Sequence, residues 1–204
     1  PVDADPDAEI IYGRPGPAAD AATTHNLVTK NAGMNRFVWG VQHRNGLGAP
    51  PGQYTLRLSV GGTTQTVPLR VRIDPRLAAD GTTEADLQEQ FAHNTRMRDM
   101  VAEVNAVVAR VRAAEQRLRG ATGAAADTAA KVKVVSEIVN TQPIRYGKPG
   151  LQAHISYLAG MTARADQKVG RDAFDRYAVL RKELDQAKAL LDAALGREPA
   201  AGTR

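Results

Sequence analysis

The sequence predicts an α+β chain in which the β structure precedes the helices. Between Met34 and Ile73 apolar residues recur at every second position, the period of strands with one buried face. From residue 82 they recur at steps of three and four, the period of an apolar stripe along a helix. Runs rich in proline and glycine separate the segments, as at 50–52, 61–62 and 140–150. The expected architecture is a small antiparallel β-sandwich over 33–76, then an up-and-down bundle of about four helices over 82–196.

Residues 1–32 are dominated by Pro, Gly, Ala and Asp and read as an extended arm or long connection, in which only Glu9–Tyr12 could form a short strand. In "MNRFVWGVQ", Phe37, Trp39 and Val41 fall on one face of a first predicted strand. Pro51-Gly52 suits the centre of a type II turn. Tyr54, Leu56, Leu58 and Val60 then alternate with Thr55, Arg57 and Ser59, and Gly61-Gly62 suits a primed hairpin turn. The return run puts Val67, Leu69, Val71 and Ile73 inward and Arg70 and Arg72 outward. Pro68 falls in the outward phase, where a missing N–H is tolerated on an edge strand or at a bulge. Asp74-Pro75-Arg76 ends the run. Phe37 and Trp39 read as the bulky knobs that fill the gap between two sheets. The competing reading is an exposed aromatic platform, drawn from Trp39, Tyr12, Tyr54 and Tyr146, that stacks on sugar rings.

The first helix opens with Thr83 as N-cap and Asp86 at the capping-box position, with Glu84 and Glu89 favoured by the helix dipole. Its apolar seam is Leu87, Phe91, Met97, Val101, Val104, Val108, Val111 and Leu118, a helix of roughly 35 residues. Arg110, Arg112, Arg117 and Arg119 complement the negative pole near its end. A second helix is expected over 125–140, on Val132, Val135, Ile138 and Val139. A third is expected over 150–166, on Leu151, Ile155, Leu158 and Ala165. The fourth covers 171–196, on Phe174, Tyr177, Leu180, Leu184, Ala187, Leu191 and Leu195, and residues 197–204 form a frayed tail. The predicted core thus runs from Phe37, Trp39, Val41, Tyr54, Leu56, Leu58, Val60, Leu69 and Val71 in the sheet to Phe91, Val101, Val104, Val108, Leu158, Leu180 and Leu184 in the helices.

Composition removes several function classes. The absence of cysteine excludes disulfides, thiolate zinc sites and cysteine nucleophiles. A formal net charge of +5 permits weak attraction to polyanions, but Lys and Arg are interspersed with Asp and Glu and aromatics are scarce, which argues against a nucleic-acid interface. No apolar run reaches the ~18 residues of a membrane span, and no signal-peptide pattern opens the sequence. His25, His43, His93 and His154 fall in four different segments without ligand spacing and read as surface or boundary residues. There is no GxSxG, no phosphate-binding glycine loop and no ExxH. Asp172, Asp175, Glu183 and Asp185 alternate with Lys and Arg and read as solvated pairing partners. No catalytic residue, cofactor or metal is therefore expected, and the isolated chain is not expected to be an enzyme.

The combination "GMNRFVW", "PPGQYTLRLSVGG" and "DPR" before "ADLQEQF" resembles the C-terminal region of bacterial sortilin-like, BNR-repeat proteins, a class often described as glycosyl hydrolases. The resemblance spans residues 32–195, and "YGKPGLQAHISYLAGM" follows the family's third helix more loosely. It implies that the β segment is immunoglobulin-like, that a β-propeller precedes it in the parent protein, and that the protein is secreted or periplasmic. Gly40 stands where the family carries Asp, and no Asp-box repeat occurs, so no catalytic position is carried over. The family's domain begins with an upstream hairpin that this sequence lacks. The β part is accordingly expected to be incomplete, with its missing strand supplied by residues 1–32 or by another polypeptide.

The leading expectation is a non-catalytic scaffold or protein-interaction module of a larger protein, whose partner is a protein or the upstream strands of its own parent chain. The alternatives are a carbohydrate-binding accessory module, or part of a hydrolase whose active site lies in the propeller. An unpaired sheet edge and amphipathic helices also point to a homo-oligomer.

Overall fold

The computed structural model describes residues 32–43 and 46–196. The arm read over 1–32 lies outside them except for its last residue, as do Tyr12, His25 and the tail over 197–204. The described residues are α+β, with the order β1 (Gly52–Val60), β2 (Thr63–Val71), α1 (Pro75–Ala79), α2 (Glu84–Arg117), α3 (Ala124–Val139), α4 (Leu151–Ala163) and α5 (Arg171–Leu195). Two compact units divide inside α2, between Phe91 and Ala92.

In the first unit, β1 and β2 form an antiparallel hairpin in unbroken register from Gly52↔Val71 to Val60↔Thr63. Gly61 and Gly62 have φ of 56° and 80°, so the two-residue turn needs positive φ at both central positions, which glycine supplies without a steric penalty. The type II turn expected at Pro51-Gly52 does not form, since Gly52 is already paired with Val71. The first predicted strand is also absent. Residues 34–40 are irregular, Val41 turns to φ 51°, and among the described residues the nearby pairing is an isolated bridge between Gln42 and Gly48. Alternation of side chains predisposes a segment to be a strand, but the ladder requires a neighbour with free backbone groups in register, and this segment has none among the described residues. Among the described residues the sheet therefore has two strands and not three.

Beyond β2, Asp74 caps the short helix α1, its carboxylate accepting from the Arg76 amide at 2.9 Å, with Pro75 in the first turn. The hydrogen bonds and charge of Arg76 hold the Asp74 carboxyl down to about 2. At the start of α2 the capping box is reciprocal. The Asp86 amide donates to Thr83 Oγ1 at 3.1 Å, and the Thr83 amide donates to Asp86 Oδ2 at 2.9 Å. Glu84 instead accepts both hydrogen bonds of Arg70, at 3.1 and 3.2 Å.

In the second unit, α2, α3, α4 and α5 contribute to one hydrophobic cluster. The α2 stripe is His93, Met97, Met100, Val104, Val107, Val111 and Ala114, all buried, in strict alternation of four and three. This is rotated from the predicted seam, so Val101 is only half-buried on its flank. One buried position on this stripe is a histidine. His93 is wholly buried, edge-on to Phe174 at 5.0 Å and Tyr177 at 5.8 Å, and is not a boundary residue. Beside it, Asn94 donates to the Thr162 carbonyl at 3.2 Å. Gly150 opens α4 where the 140–150 loop returns, and a Cβ there would collide with the Asn140 backbone.

Charge pairs join the helices around this cluster. Glu103 accepts from Arg181 at 2.8 Å and from Lys188 at 2.7 Å, and Arg181 also binds Asp185 at 2.6 Å. Arg181 lowers the Glu103 pKa below the ordinary carboxylate value, with burial opposing it. Arg110, read as a partner for the helix pole, pairs with Asp192 at 2.9 Å.

Candidate functional site

The hairpin of the first unit is the part of the described chain whose composition is least satisfied by its surroundings. Its register sorts the side chains into two faces. Tyr54, Leu56, Leu58 and Val60 share one face with Leu69 and Val67, while Gln53, Thr55, Arg57 and Ser59 share the other with Arg70, Pro68, Thr66 and Thr64. A hairpin with one apolar face ordinarily buries it against a second layer.

Near its base that face is partly covered. Trp39 meets Tyr54 edge-on, with ring centroids 5.6 Å apart and planes at 61°, and its Nε1 donates to the Gln42 carbonyl at 2.9 Å. The Tyr54 hydroxyl donates to the Pro50 carbonyl at 2.6 Å, and burial raises its pKa. Gln88 Nε2 donates to the Pro51 carbonyl at 3.1 Å. Trp39, Tyr54, Leu69 and Val71 are accordingly half-buried.

Toward the turn the cover ends. Leu56 is 41% exposed, Leu58 53%, Val60 67% and Val67 57%. Leu56, Leu58 and Val60, predicted as core, are surface residues here, because no second layer lies over them among the described residues. Phe37 and Val41 are likewise exposed, since the strand that would have turned them inward is not formed. Phe91 is half-buried and packs edge-on against His43 at 5.0 Å. The remaining predicted core residues lie in the second unit: Val104, Val108, Leu180 and Leu184 are buried, and Val101 and Leu158 pack partly exposed against them. The predicted helix core is thus buried or half-buried throughout, whereas the predicted sheet core is half-buried at the base of the hairpin and exposed toward its turn.

The aromatic residues do not assemble into one flat platform. Trp39 and Tyr54 meet edge-on, while Tyr146, far along the chain, is exposed beneath the Arg145 guanidinium at 5.1 Å. Among the described residues no group of three or more His, Asp or Glu is placed to hold a metal ion. His154 is exposed. No helix among them is long and apolar enough to cross a membrane. Sequence reasoning missed Arg57 as a feature of this surface. It is exposed in mid-strand and has no ion pair among the described residues, whereas Arg70 is occupied by Glu84. The signal was available: β1 and β2 contain no carboxylate.

The chain matches no family model, no curated protein and no solved structure.

Proposed function

We propose that the chain is a non-catalytic scaffold and protein-interaction module, the C-terminal part of a larger secreted or periplasmic sortilin-like β-propeller protein. In this reading the hairpin is a portion of an immunoglobulin-like sandwich and the four long helices form an up-and-down bundle. The observation that supports it most is the uncovered apolar half of the hairpin, a surface that monomeric folds rarely leave open and that marks interaction sites. The placement in a propeller protein rests on the resemblance of residues 32–195 to that class. The carbohydrate-binding alternative draws on Trp39 and Tyr54, but their edge-on geometry offers a sugar ring no shared face.

The test is the intact mass of the polypeptide that carries this segment in its host, together with an assay of the isolated chain on glycosides and peptides. A much heavier polypeptide, and an inert isolated chain, are expected. Turnover by the isolated chain would overturn the scaffold reading, and a polypeptide of this chain's mass alone would overturn its place in a propeller protein.

A further inference from the structure

We infer that the outer edge of β1 takes an extended strand from another polypeptide, one that alternates apolar and acidic side chains. This rests on the interaction-module reading and names the kind of partner that reading requires.

The two edges of the hairpin are not equivalent. In a two-residue primed turn the closing pair, here Val60 and Thr63, exchanges both backbone hydrogen bonds, and bonded and non-bonded pairs then alternate. Residues 53, 55, 57 and 59 of β1 therefore fall in non-bonded pairs and aim their N–H and C=O groups outward. The short side-chain approach expected of a non-bonded pair is present at Ser59 and Thr64, whose hydroxyls are 2.9 Å apart. On β2 the outward set is Thr64, Thr66, Pro68 and Arg70. Pro68 has no N–H and breaks that edge in its middle. The β1 edge has no such interruption, and its outward residues are all exposed. Among the described residues no third strand pairs with it.

Side chains select the partner. An added strand lays alternate residues beside Leu56 and Leu58 on one face and beside Arg57 on the other. The first set must be apolar to shield the exposed leucines. The second is best acidic, because Arg57 has no ion pair among the described residues and the hairpin has no carboxylate of its own. A second copy of this chain fits poorly. Two-fold pairing of β1 with β1 centred on residue 56, 57 or 58 brings the two Arg57 side chains together as direct or diagonal neighbours.

The experiment is amide hydrogen exchange on the full chain, with a probe peptide of about the length of β1 that alternates valine and glutamate. A valine–lysine peptide serves as control. The valine–glutamate peptide is expected to slow exchange at Thr55 and Arg57 by about tenfold or more, leaving Thr64 and Thr66 unchanged. Arg57→Glu, a surface change that keeps the ladder, should transfer the preference to the valine–lysine peptide. Thr55→Pro, which removes an outward N–H as Pro68 does on the other edge, should abolish the effect. If Thr55→Pro fails to fold, the charge reversal decides alone. The inference is overturned by an absence of protection with either peptide, or by protection on β2 instead. Protection already present in the free chain also overturns it: if independent of concentration, the chain covers its own edge, and if rising with concentration, a second copy does. Turnover in the activity assay would sink the scaffold reading while leaving the exchange result intact.

Discussion

The hairpin and the helical unit are both built from amphipathic elements, yet only the helices hide their apolar faces. Val104, Ile155, Leu180 and Leu184 are wholly buried, while Leu58 and Val60 stand more than half exposed. The physical difference is how each element satisfies its backbone. A helix closes its hydrogen bonds internally, so the four long helices need only bury their stripes against one another. A two-stranded sheet leaves two edges of unpaired groups and one apolar face, and nothing within the hairpin can cover either. The same degree of amphipathicity therefore ends as a core in one region and as an exposed apolar face in the other.

The largest effect should come from the helical core. Leu184→Ala removes a wholly buried side chain from the cluster and is expected to lower stability by about 2–5 kcal/mol, read from urea denaturation of the full chain. An effect near zero would mean that the helices are no better packed than the hairpin. Gly150→Ala comes next. Its φ of −80° suits any residue, so the expected loss of about 1–3 kcal/mol is steric, arising from the collision with the Asn140 backbone.

A smaller effect is expected at Glu103, which is itself 37% exposed and whose partners Arg181 and Lys188 are 25% and 42% exposed, so solvent screens the network. Glu103→Gln should cost about 1 kcal/mol at neutral pH. Because the folded-state pKa is lowered, the contribution is present above the ordinary value of 4.5 and is lost as pH falls through the lowered folded value. The difference between the native chain and Glu103→Gln should accordingly close in acid. A difference that persisted at low pH would locate the effect in packing rather than in charge.

These contrasts also explain what was legible in the sequence. The four long helices begin and end within a few residues of expectation, because the stripe, the Thr83–Asp86 cap and the glycine breaks are local signals. The hairpin was legible for the same reason, its register set by Gly61-Gly62. The short helix α1 was missed although Asp74-Pro75 is a cap followed by proline in the first turn. The strand expected around Phe37 and Trp39 failed on a non-local requirement. Its alternation was real, but pairing depends on a neighbour that no stretch of the segment itself can announce. The burial of His93 was hidden by residue type, because a histidine at a seam position reads as polar.

The smallest change in stability is expected at Leu58→Ser, and it tests the contrast most directly. Leu58 is 53% exposed and lies opposite Gln65, so the substitution removes little buried area and opens no cavity. Its effect on stability should stay within about 0.5 kcal/mol. The part of the Leu58 side chain that is buried is lost, so a slight loss is the expected sign. Binding of a hydrophobic dye to the folded chain should fall at the same time, because one of the exposed apolar side chains of the patch is gone. The two readouts diverge only if this face is open in solution. A loss as large as that of Leu184→Ala would mean that a layer covers the hairpin in the free protein, and the difference between the two regions would then be one of which residues supply the cover rather than of whether it exists.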